Sequence, residues 1–121
     1  MAQHVAFYEA LQDEIVTLPD AGDTDKDIFF TPPLNTATDN RPILSFMASV
    51  QNAVNLQFQI ILNDVDIVTR NENGNSRLFV QEVINSNLIK PNQQNKLTCK
   101  ISSGSGKFSY SDMVIWYQRN I

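Results

Sequence analysis

Between Val54 and Leu62, the residues Val54, Leu56, Phe58, Ile60 and Leu62 alternate with Asn55, Gln57, Gln59 and Ile61. A side-chain period of two sends the apolar set to one strand face and mostly amides to the other, the pattern of a half-buried antiparallel strand. Ile43 to Gln51 alternates in the same way, and Asn52-Ala53 predicts a hairpin between these two runs. Asn63-Asp64 predicts a second tight hairpin into Val65 to Thr69, because both turn residues tolerate positive φ. Asn73-Gly74, inside Arg70 to Ser76, is the strongest turn signal of the chain. Arg77 to Ile84, Lys96 to Ser102 and Phe108 to Gln118 continue the series, and Ser103-Gly104-Ser105-Gly106 reads as a hairpin tip joining Ile101 to Phe108.

Upstream the strands are shorter. Ile15 to Leu18 and Asp27 to Thr31 flank the acidic stretch Pro19 to Lys26, and Pro32-Pro33 stops the second because proline cannot donate to a ladder. Leu34 to Pro42 is a polar loop. One helical alternative exists at Val5 to Ile15, where Phe7, Tyr8, Leu11 and Ile15 form a stripe. Many short strands with turn clusters between them predict an all-β fold, an antiparallel two-sheet β-sandwich of jelly-roll type. A length of 121 residues fits one domain spanning the chain.

In the last strand the apolar residues change phase. Phe108 and Tyr110 are followed by Asp112, after which both the even set Val114 and Trp116 and the odd set Met113, Ile115 and Tyr117 are apolar. A bulge at Asp112 accounts for this, and the strand is then either covered on both faces or meets another subunit. Large aromatics in alternating strands are usually buried, which places Trp116 in the core.

Only 18% of residues are charged, against about 25% in an average domain, while thirteen Asn and nine Gln are present. Uncharged amides therefore cover much of the surface. They fill turns and solvated strand faces, or they line a site for a neutral polyhydroxy ligand, since amides both donate and accept. The net charge of -4 and the scattered Lys and Arg residues set aside nucleic acid and anionic membranes as partners. No apolar run approaches the roughly 20 residues of a membrane-spanning helix, and no signal-peptide pattern opens the sequence. The expected location is cytoplasmic, with export by a non-classical route left open.

The segments Leu62 to Val68, Phe79 to Val83, Asn87-Leu88-Ile89-Lys90-Pro91-Asn92 and Asn95 to Ile101 together resemble the galactose-binding-domain-like jelly-roll modules. There a strand ending in a short Asn-containing hairpin precedes a Leu-x-Lys-Pro-Gly-x-Asn-x-Leu segment and another strand. The resemblance covers about residues 56–118; Asn92 stands for the usual glycine, and Gln93-Gln94 lengthen the turn. It implies a β-sandwich that binds carbohydrate or serves as an accessory module.

Catalytic and metal patterns are sparse. Asp20, Asp23, Asp25 and Asp27 resemble the start of a calcium loop, but counting from Asp23 the sixth position is Ile28 rather than Gly and the twelfth Leu34 rather than Glu. A solvated acidic turn is the alternative. His4 is the only histidine and Cys99 the only cysteine, too few for zinc, and the pattern around Cys99 makes it a core residue. Glu82 and Asp112 are the carboxylates to weigh as a glycosidase pair, although each lies within a β segment. The expectation is no enzyme and no resident cofactor, with calcium as the one candidate. A non-catalytic module binding a neutral glycan leads, with Asn71, Asn73, Arg77, Tyr110, Trp116 and Tyr117 as ligand-binding candidates. The alternative is a self-assembling structural subunit, and a homo-oligomer is compatible with both.

Overall fold

The computed structural model describes residues 4–121. Six strands form: β1 (His4–Gln12), β2 (Val16–Leu18), β3 (Asp25–Phe30), β4 (Ile43–Leu62), β5 (Val65–Val83) and β6 (Asn95–Asn120), with a 3-10 turn at Ser86–Leu88. All pairings are antiparallel, in the order β1-β6-β4-β5, and β2 and β3 also pair with β6. The helical alternative at Val5 to Ile15 is not realised. β1 lies along β6 from His4↔Asn120 to Gln12↔Met113, so its backbone groups are satisfied across a ladder instead of along a helix.

Three expected chain reversals are absent. Asn52-Ala53, Asn73-Gly74 and Ser103 to Gly106 lie inside β4, β5 and β6, whose lengths are 20, 19 and 26 residues. The ladder places these segments side by side, with Ala53 opposite Gly74 and Val54 opposite Ser105. The residues do adopt the positive φ their types allow, at Asn52, Asn55, Gly74, Gly104 and Gly106. That freedom is spent on bulges and a sharp bend, because the ladder shifts register at this level in both β4 pairings. By contrast Asn63-Asp64, with φ of 48° and 68°, reverses the chain between β4 and β5 as expected.

The bend turns one sheet into two facing layers. One layer holds the amino-terminal half of β4, the carboxyl-terminal halves of β5 and β6, and β1 and β2; the other holds the remaining halves and β3. Phe58 and Phe108 report the closure directly. The ladder pairs Phe58 with Ile101 and Phe108 with Val50, yet the two rings stack 4.2 Å apart across the interior. The fold is thus the expected antiparallel β-sandwich of jelly-roll type, with long strands shared by both layers. Between the layers Leu44, Phe46, Leu56, Phe58, Ile60, Leu62, Leu97, Phe108, Met113 and Ile115 are fully buried. Burial of this apolar surface supplies the main favourable folding term.

Amides tie the ends of the sandwich. Buried Asn95 accepts from Lys90 N and Asn63 Nδ2, and donates to the carbonyls of Lys90 and Gln93. These bonds fix the loop leading into β6. At the other end Asn35 and Ala37 take up the β6 backbone at Asn120 and Gln118, beyond the point where β4 begins.

Candidate binding surface

The bulge at Asp112 decides what the carboxyl-terminal half of β6 presents. Asp112 sits at φ 51°, and the ladder passes from Ser45↔Val114 to Met47↔Ser111, one residue longer on β6 than on β4. Phe108 and Tyr110 point inward before it, and Met113, Ile115 and Tyr117 after it. Val114 and Trp116 therefore turn outward. The core assignment of Trp116 is corrected: its side chain lies on the outer sheet face and is 45% exposed.

Across β1, β6, β4 and β5 in that layer, Tyr8, Trp116, Ile43 and Val83 form one outward row. Tyr8 is 59% exposed, and its ring centroid lies 5.1 Å from that of Trp116 at an interplanar angle of 41°. The indole Nε1 donates to Ser45 Oγ at 3.3 Å, which ties the ring to the neighbouring strand β4. Hydrogen-bonding groups flank the rings. Gln118, beside Trp116 on the same face, accepts from Asn40 Nδ2 at 2.7 Å, and Ser45 and Gln81 occupy the next row. Exposed Met47 and Phe79 extend the face beyond them.

The other candidate residues lie elsewhere. Tyr110 and Tyr117, 2% and 4% exposed, are core residues and not ligand-facing ones, because their parity on either side of the bulge points them inward. Burial pushes the Cys99 thiol up to about 12, opposed in part by its hydrogen bond with Tyr110; burial likewise raises the Tyr110 phenol. Burial also pushes Tyr117 up to about 12, with the Glu9 carboxylate adding to the effect. Asn73 Oδ1 accepts from Asn55 N at 2.7 Å, and Asn75 Oδ1 from Asn52 N at 3.0 Å. These amides replace ladder partners lost in the bend. Arg77 borders a shallow recess of about 290 Å³ with Ile15, Met47, Ser109 and Asp112. Asn71 lines a different and larger cleft at the β5 edge.

The aspartates do not converge. Asp20 closes a tight turn with Asp23 and pairs with Lys26, Asp25 lies opposite Lys100, and Asp27 Oδ1 accepts from Thr98 Oγ1 at 2.7 Å. Among the described residues, no group of three or more His, Cys, Asp or Glu side chains stands together to hold a metal ion. Glu82 and Asp112 line separate concavities, so they do not flank a common bond. His4 sits 3.6 Å from Asp39, and Cys99 is sealed in the core. Sequence reasoning missed Tyr8, which acquires its place only through the β1–β6 register.

Fold and surface together define a jelly-roll β-sandwich module with a solvent-facing aromatic row. No family model matches the sequence, and no curated protein matches it either. Among solved structures, dimeric latent PorU from Porphyromonas gingivalis superposes with a TM-score of 0.68 at 10% identity, over 98% of this chain and 13% of that one. At that identity the likeness shows the fold, and this chain spans only about an eighth of that protein. Looser likenesses include the carbohydrate-binding module CBM36 in complex with calcium and xylotriose, with a TM-score of 0.44 at 10% identity over 93% of this chain and 97% of that one. The CBM36-1 domain of a multidomain xylanase from the hindgut metagenome of Trinervitermes trinervoides gives 0.45 at 6% identity, over 94% and 96%.

Proposed function

We propose that this chain is a non-catalytic carbohydrate-binding module that recognises a neutral glycan on the outer sheet face around Trp116 and Tyr8. The observation that carries the reading is the pair of exposed, adjacent rings, Trp116 anchored to Ser45 and flanked by the Gln118 and Asn40 amides. The C–H face of a sugar stacks on such rings, while its hydroxyls exchange hydrogen bonds with Gln118, Asn40 and Gln81. A face carrying few charges favours a neutral ligand over a uronate or a sulfated glycan, which the net charge of -4 also opposes.

Calorimetry and a glycan array with purified protein test this. Trp116→Ala and Tyr8→Ala are each expected to weaken glycan binding about tenfold or more, about 1.4 kcal/mol, with the fold intact. No binding to any glycan at millimolar concentration removes the reading. The apolar residues Ile43, Val83, Met47 and Phe79 on the same face favour one alternative, a self-associating structural subunit. A face-to-face dimer would hide the Trp116 ring, so light scattering separates the two: glycan binding requires that the face stay open in the assembled state.

A further inference from the structure

From Val68 to Glu82 the even-numbered residues of β5 lie opposite the inward-facing residues of β4. Val68 and Val80 are buried there, but Arg70, Glu72 and Glu82 occupy the positions opposite Phe58, Leu56 and Leu44, which are all fully buried. Three charged side chains thus stand where the core pattern calls for apolar ones. Because β5 is the last strand of the sheet and bends sharply, its two halves enclose an open cleft of about 690 Å³ between the layers. Its lining runs from Ile67 to Glu72 on one half and from Phe79 to Glu82 on the other. That volume lies within the range of about 300–1,000 Å³ typical of small-molecule sites.

We propose that this cleft is a second binding site, and that it takes a neutral polyhydroxylated ligand, a saccharide with vicinal hydroxyls. Arg70 Nε lies 3.6 Å from Glu72 Oε1, so a planar donor and a carboxylate acceptor stand side by side at the mouth. One hydroxyl of a vicinal pair donates to the carboxylate while its neighbour accepts from the guanidinium. Glu82 supplies a second acceptor from the facing half of the strand. Two carboxylates against one guanidinium disfavour an anionic ligand, and the charged rim disfavours an apolar one. The site shares its ligand class with the Trp116 face; of its lining, only Phe79 and Gln81 also belong to that face, and Arg70, Glu72 and Glu82 do not.

Inward charges on an edge strand also discourage edge-to-edge pairing, and a test must separate that role from binding. We would titrate isotope-labelled protein with xylohexaose, cellohexaose and mannohexaose and follow backbone amide shifts. The expected result is saturable shifts at the cleft amides of Arg70, Asn71, Glu72 and Glu82 with at least one probe, persisting in Trp116→Ala. Glu82→Gln and Arg70→Gln should weaken that binding about tenfold with spectral dispersion retained. Failure of the outer face would show separately, as an unmoved Trp116 indole resonance. If no cleft amide shifts with any probe, or if both variants bind as the parent does, the proposal is overturned. Larger species formed by the variants, with wild-type cleft amides that never shift, would assign these charges to edge protection alone.

Discussion

Asp112 shows how much one residue decides. Its insertion reverses the parity of β6, sending Trp116 out and Tyr117 in. The sequence carries the sign of this in its change of phase, but both sets after Asp112 are apolar, so pattern alone could not say which would be buried. Packing against β4 settles it. Burial in the core of the sandwich has a consequence at high pH. Cys99, ordinarily near 9, and Tyr117, ordinarily near 10, are both pushed up to about 12 by burial. A group whose folded pKa is raised keeps its proton longer in the native state, so its contribution is complete below the unfolded pKa and is lost as pH rises toward the folded one. Melting temperature is therefore expected to fall progressively between about pH 9 and pH 12, with no matching change between pH 7 and 8. Cys99 should also resist thiol reagents at neutral pH until the protein unfolds.

At the scale of elements, the bend common to β4, β5 and β6 is the feature that makes a sandwich from one sheet. Its glycines are not equivalent. A methyl group at Gly104 would overlap the Asn55 backbone carbonyl, whereas one at Gly74 meets open space; both residues have positive φ, 80° and 77°. Gly74→Ala is expected to cost about 1–2 kcal/mol, the ordinary penalty of a side chain in the left-handed region. Gly104→Ala should cost more, because strands β4 and β6 must separate, and urea denaturation of the two variants gives the comparison directly. Asn-Gly and Ser-Gly runs were legible as sites of positive φ. Whether such sites reverse a chain or only bend it depends on what lies beside them, and here the β4 site lies between those of β5 and β6.

For the molecule as a whole, β6 is the organising strand, since β1, β2, β3 and β4 all pair with it. Removing Val114 to Ile121 would strip β1 of most of its ladder and expose Leu44 and Phe46, so the truncated chain is expected to lose dispersed amide resonances and cooperative melting. A truncated protein that still melts cooperatively would count against that role. The sequence by itself determined the β class, the tight turn at Asn63-Asp64, the core parity of β4 and the burial of Cys99, because these follow from local alternation and local backbone freedom. It left undecided whether three turn signals made hairpins or a bend, which face of β6 carried Trp116, and that Tyr8 would stand beside it. Those outcomes depend on register between segments as far apart as Tyr8 and Trp116, and register is fixed only when the layers close and exclude water from one face of every strand.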